Sequence, residues 1–167
     1  MPNTIKPILQ TMERLYKIHQ SLLNLSQQKT EYLKTNNIQA LQQLFPNERK
    51  HIQALETLEK TRSELVETWI QEHGPSGIEP TLSNLLPTVQ DEEERKQLQT
   101  MSDEFILIMA EIKQQEALNR ELTMQSLQFV ELTMDMLQPT LKNMNYGNPN
   151  TKGSGVEPKR SVFDSKI

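Results

Sequence analysis

The 167 residues carry a formal net charge of −4, are only 35% hydrophobic and 5% aromatic, and include no cysteine. A chain of this size accommodates one domain with a core, or one elongated helical hairpin assembly with a tail, and its thin apolar content suits long amphipathic helices better than a sheet-based globule. The acidic balance excludes a nucleic-acid footprint, which needs clustered Lys and Arg, and the lack of cysteine excludes disulfides, thiolate zinc sites and a Cys nucleophile.

The first residues, Met-Pro-Asn-Thr-Ile-Lys-Pro-Ile-Leu, contain no apolar leader region. The longest interior apolar run, Phe105 to Ala110, falls far short of a bilayer span. The expectation is a soluble, cytoplasmic protein without membrane insertion.

From Ile8 to Phe45 there is neither Gly nor Pro. Two seams at seven-residue spacing run through this stretch, Ile5, Met12, His19, Ser26, Leu33 and Ile8, Leu15, Leu22, Lys29, the pattern of coiled-coil packing. Asn36 and Asn37 interrupt it, and Ile38, Leu41 and Leu44 resume it. Pro46 is expected to open a fresh helix at its first turn, where a missing N–H does no harm. That helix carries Ile52, Leu55, Leu58, Leu65, Val66, Trp69 and Ile70, and Gly74-Pro75 end it. Between Pro80 and Pro87, Leu82, Leu85 and Leu86 allow at most a short helical turn.

Asp91 to Glu94 place four acids at the start of the next helix, where the positive end of the macrodipole favours them. Its seams are Met101, Ile108, Gln115, Leu122, Phe129, Met136 and, alongside, Leu98, Phe105, Ile112, Asn119, Ser126, Thr133. Pro139 is expected to stop or kink it, which leaves a rod of roughly 70 Å, too long for the interior of a compact globule. Gln115 and Asn119 interrupt an apolar seam one turn apart and are read as amides that fix register. Residues 145–167 carry four basic and two acidic residues and no periodicity, and are expected to be disordered when unbound.

The expected fold is therefore all-α: an elongated antiparallel helical hairpin, or three-helix coiled-coil bundle, over residues 1–144. Its helices span about 4–36, 38–45 with 46–72, and 91–138, and a flexible tail follows over 145–167.

Little in the chain points to catalysis. His19, His51 and His73 lie far apart with no HxxxH or HExxH spacing, and GxxxxGK(S/T), GxGxxG and GxSxG are absent. Neighbouring Glu92, Glu93 and Glu94 point in different directions on a helix, so they read as a solvated helix start. Neither an enzyme nor a cofactor or metal site is expected.

One feature points to function. With Leu122 at zero and 100° per residue, Phe129 falls near about −20° and Met136 near about −40°, on the packing seam. Leu127, Val130, Met134, Leu137 and Leu141 fall between about 60° and 140°, a second apolar face that is charged upstream at Arg120, Glu116 and Lys113. Methionine is concentrated nearby at Met124, Met134, Met136 and Met144, and flexible thioethers suit surfaces that accept several shapes. A partner-binding stripe is one reading. Burial on two sides by the first helix or by a second subunit is the other.

Three further stretches stand out: Lys29-Thr-Glu-Tyr-Leu-Lys-Thr-Asn-Asn-Ile-Gln-Ala-Leu with Glu48-Arg49, Ile52, Leu58-Glu59 and Arg62; Asn119 to Val130; and Tyr146-Gly with the closing Ser-Val-Phe-Asp-Ser-Lys-Ile. In these the chain resembles the FlgN family of flagellar export chaperones. The resemblance implies a protein that binds the C-terminal helical regions of the hook–filament junction proteins FlgK and FlgL and delivers them to the flagellar type III export apparatus. It also implies that the C-terminal helix holds the substrate, in agreement with the stripe at Leu127, Val130, Met134, Leu137 and Leu141. A monomer or weak dimer is expected; the alternative is a self-associating coiled-coil scaffold or adaptor.

Overall fold

A computed structural model describes residues 3–146, with side chains as far as Leu137. The described elements are all helical: α1 (Lys6–Lys34), α2 (Ile38–His73), the short α3 (Leu82–Leu85) with a 3-10 turn (Leu86–Thr88), and α4 (Glu92–Tyr146). The described residues divide into two compact units, one up to residue 126 and one from residue 127 onward. The expected tail lies outside the described residues, apart from its first two positions at the end of α4.

Within the first unit every position of the α1 seams read from sequence is buried or half-buried, and Leu9, Thr11, Leu25 and Thr30 beside them are buried as well. Ile5, Ile8, Met12 and Leu15 are each at most 2% exposed, as is Ser26 further along α1. Burying each such aliphatic side chain is worth about 1.5–3 kcal/mol, which is what holds a helix whose mean propensity is ordinary. α1 ends where Asn36 takes a left-handed conformation (φ 52°), a role its short polar side chain tolerates. Asn37 then caps α2, its side chain accepting from the Ala40 N–H at 3.1 Å. Two adjacent asparagines thus reverse the chain. The resulting pair is antiparallel, with Ser21 Oγ 2.7 Å from His51 Nε2 and Lys29 Nζ 2.6 Å from Glu48 Oε1.

Pro46 departs from expectation, because α2 runs through it as one helix of 36 residues. A proline removes one i→i−4 hydrogen bond. Pro46 and Gln42, whose carbonyl loses its donor, are both exposed, so water can serve that carbonyl. Packing against α1 at buried Leu44 and at Glu48 pins the helix on either side. Pro139 likewise does not end α4, which continues to Tyr146. A missing bond subtracts from an established helix without requiring a new nucleus.

Gly74 closes α2 by turning to an extended conformation (φ −100°, ψ 169°) while its N–H still donates to the Ile70 carbonyl oxygen, and a Cβ there would lie 2.8 Å from that oxygen. The connection to α4 is fastened to the end of α2. Trp69 Nε1 donates to Thr88 Oγ1 at 2.9 Å, Leu85 and Val89 are buried, and Arg95 donates to the Val89 carbonyl oxygen at 2.7 Å. Asp91 then caps α4 by accepting from Glu94 N at 2.9 Å.

α4 runs parallel to α1 at a constant offset. Thr4 meets Glu94, Tyr16 meets Phe105, Ser26 meets Glu116 and Thr30 meets Asn119, each pair 89 or 90 residues apart. The apolar core gathers at one end of the first unit. Ile5, Ile8, Met12, Val66, Trp69, Ile70, Leu85 and Leu98 form it, and Leu82, Met101 and Phe105 pack against it.

Candidate functional site

Further along the α1–α4 seam the filling changes from apolar to polar. Asn119, 2% exposed, donates from Nδ2 to the Ser26 carbonyl oxygen at 2.9 Å and to Ser26 Oγ at 3.1 Å, and its Oδ1 accepts from the Thr30 hydroxyl. Gln115 Nε2 donates to Thr30 Oγ1 and Ser26 Oγ donates to Glu116 Oε1 at 2.7 Å. Lys29 lies between Glu48 on α2, at 2.6 Å, and Glu116 on α4, at 3.3 Å. No buried side-chain nitrogen or oxygen among the described residues lacks a partner. A one-turn slip of α4 would strand these groups at about 1–3 kcal/mol each, so the layer holds the parallel register. This is the role read for Gln115 and Asn119 from sequence.

Other polar candidates are also structural. His19 Nδ1 lies 2.7 Å from the Leu15 carbonyl oxygen, with its ring edge-on to Phe105, and His73 stacks on Trp69. Glu94 has a role that sequence reading missed. Its carboxylate accepts from Ile5 N at 3.0 Å and from the Thr4 hydroxyl, whose oxygen in turn accepts from Lys6 N at 3.2 Å, so a residue of α4 completes the cap at the start of α1. Among the described residues no group of three His, Asp or Glu could hold a metal ion, and no helix is long and apolar enough to cross a membrane.

The seam ends with the polar layer. At the observed offset the last helical residue of α1, Lys34, is level with about residue 124, and α1 has no further residue to supply. Asn119 is the last buried residue described on α4, and Leu122 is half-buried.

In the second unit every described side chain, Leu127 to Leu137, is exposed. Of the expected stripe, Leu127, Val130, Met134 and Leu137 are 51–58% exposed, while Leu141 lies on α4 with its side chain outside the described set. Phe129 and Met136, expected to be packed on the core seam, are instead 68% and 71% exposed, and Leu132 is 60% exposed. The heptad pattern continues past the level at which α1 ends. With these residues included, the apolar surface spans about 220° of the helix, from Leu132 near −80° to Leu127 near 140°. A helix apolar over most of its circumference is one that gets buried. The signal for the missed residues was the continuity of the seam itself, seven apolar side chains in eleven positions.

A second apolar feature lies in the first unit, a groove of about 610 Å³ whose floor is Met12 and Leu15 and whose walls include Leu55, Leu86, Phe105 and Ile106. Four separate elements line it, which is why no periodicity announced it.

The fold defines a class, all-helical proteins built from long amphipathic helices, here with an apolar stretch of α4 exposed among the described residues. Residues 1–153 match the family described as FlgN protein, and the chain belongs to that family of flagellar export chaperones, which are not enzymes. It is also similar to the protein described as uncharacterized protein YvyG of Bacillus subtilis (strain 168), 28% identical over 161 residues and covering 96% of this chain and 98% of that one. No solved structure matches.

Proposed function

We propose that this flagellar export chaperone binds the C-terminal helical regions of the hook–filament junction proteins FlgK and FlgL in the cytoplasm, keeps them soluble and delivers them to the flagellar type III export apparatus. Residues 1–144 serve as the chaperone domain, and Leu127, Val130, Met134, Leu137 and Leu141 belong to the client surface. The observation that carries this reading is the end of α4, where seven large apolar side chains between Leu127 and Leu137 are at least half exposed. Soluble proteins seldom display so dense a patch without a partner for it.

Burial of five such side chains yields on the order of 8–15 kcal/mol, against roughly 4–15 kcal/mol lost on association. The stripe alone gives modest affinity, and the free chaperone is a monomer or weak dimer. Light scattering on the purified chain, with and without a C-terminal FlgK fragment, tests the reading. A monomer that becomes a one-to-one complex is expected. A stable dimer indifferent to the fragment would replace this function with that of a self-associating scaffold.

A further inference from the structure

The width and margins of the apolar arc specify the client more narrowly, on the basis of the function proposed above. We infer that the end of α4 is enclosed from two sides, by two amphipathic helical segments of one client chain, each with Lys or Arg along its outer edge.

Width is the first argument. A packed helix covers a stripe of about 100° on its neighbour, at an interaxial distance of about 8–10 Å. One client helix laid on Val130 and Met134 would leave Phe129, Leu132 and Met136 in water, although these are among the more exposed large side chains in the protein. Two helices flanking α4 cover about 200°, close to the about 220° that is apolar.

Charge is the second. Glu131, near 180°, borders the arc beside Leu127, and Asp135, near about −140°, borders it beyond Leu132. Both are exposed, and no Lys or Arg occurs from Glu121 to Leu141. Each margin is thus acidic. A client helix seated on either side meets a carboxylate at its outer edge, where a basic residue is favoured and an acidic one is repelled.

The chain has no cysteine, so single-cysteine variants report each face separately. Leu127→Cys, Phe129→Cys, Leu132→Cys and Met136→Cys sample the arc, and Glu131→Cys and Asp135→Cys the acidic strip. Maleimide alkylation of the full chain is timed with and without a C-terminal FlgK fragment, with stoichiometry checked by light scattering. In a one-to-one complex, the four arc positions are expected to react about tenfold or more slowly and the two acidic positions to keep their rates within about twofold. In the cysteine-free chain, Glu131→Gln with Asp135→Asn is expected to weaken the fragment about three- to tenfold and flatten its salt dependence.

Protection on one side of the arc only, with the fragment bound, overturns two-sided enclosure and leaves the client reading standing. Unchanged affinity in the Glu131→Gln, Asp135→Asn variant overturns the basic margin. Binding without protection at any position moves the client elsewhere and ends both readings of this surface. Failure of the fragment to bind removes the FlgK and FlgL reading and this inference with it. Protection present before the fragment is added would seat the chain's own tail or a second copy there and overturn the assignment.

Discussion

Replacing Val130 and Met134 with aspartate separates holding a client from being folded. The two side chains are 55% and 58% exposed, so on binding each has about half of its apolar surface left to bury, worth roughly 1–1.5 kcal/mol. Aspartate forfeits that gain and also brings a carboxylate into an apolar contact, at about 1–3 kcal/mol each in the range seen in mutational data. Together the double variant loses on the order of 4–9 kcal/mol of binding, which takes a micromolar complex beyond detection. Folding is nearly untouched, since neither side chain is buried and the helix-propensity cost is at most about 0.7 kcal/mol per residue. Isothermal titration with the FlgK fragment measures the first quantity, and far-ultraviolet circular dichroism with thermal melting measures the second. Retained binding would refute the site. A collapse of helicity would show instead that these residues support the fold.

Four further substitutions test the first unit. Asn119→Ala removes a buried amide with three hydrogen bonds to α1 and is expected to cost about 2–4 kcal/mol, seen as a melting transition lowered by roughly 5–15 °C. Glu94→Ala takes away the acceptor for Ile5 N and the Thr4 hydroxyl and is expected to cost about 1–2 kcal/mol, with faster amide exchange confined to the first turn of α1. Gly74→Ala forces a Cβ against the Ile70 carbonyl and is expected to lower denaturant stability by about 1–3 kcal/mol, whereas Gly77→Ala, at φ 84° but in open space, reports only the backbone strain of about 1–2 kcal/mol.

Helix order and the faces of the first unit were legible in the sequence because an amphipathic helix repeats its apolar positions and announces most of its ends. Asn36-Asn37, Gly74 and the acids before Arg95 all marked real boundaries. Prolines were over-read. Pro46 and Pro139 lower helix stability locally, but whether a helix breaks there depends on the flanking turns and the packing around them, which composition does not contain. The Val130 and Met134 side of α4 was legible as a second stripe, whereas Phe129 and Met136 were misplaced by extending a seam beyond its partner.

What the sequence determined by itself is local: which residues form helices, which faces are apolar, and that a polar pair interrupts the seam at Gln115 and Asn119. What only the tertiary structure decided is alignment between segments remote in the chain. The offset of 89 or 90 residues between α1 and α4 sets Ser26 and Thr30 against Asn119, lends Glu94 to the start of α1, and brings α1 to its end near residue 124. A period of seven repeats identically at every turn and so carries no record of where a neighbouring helix stops. The end of α1 is marked locally at Asn36-Asn37, but only packing between the helices sets which residue of α4 it falls beside, and that level divides the buried part of α4 from the exposed part.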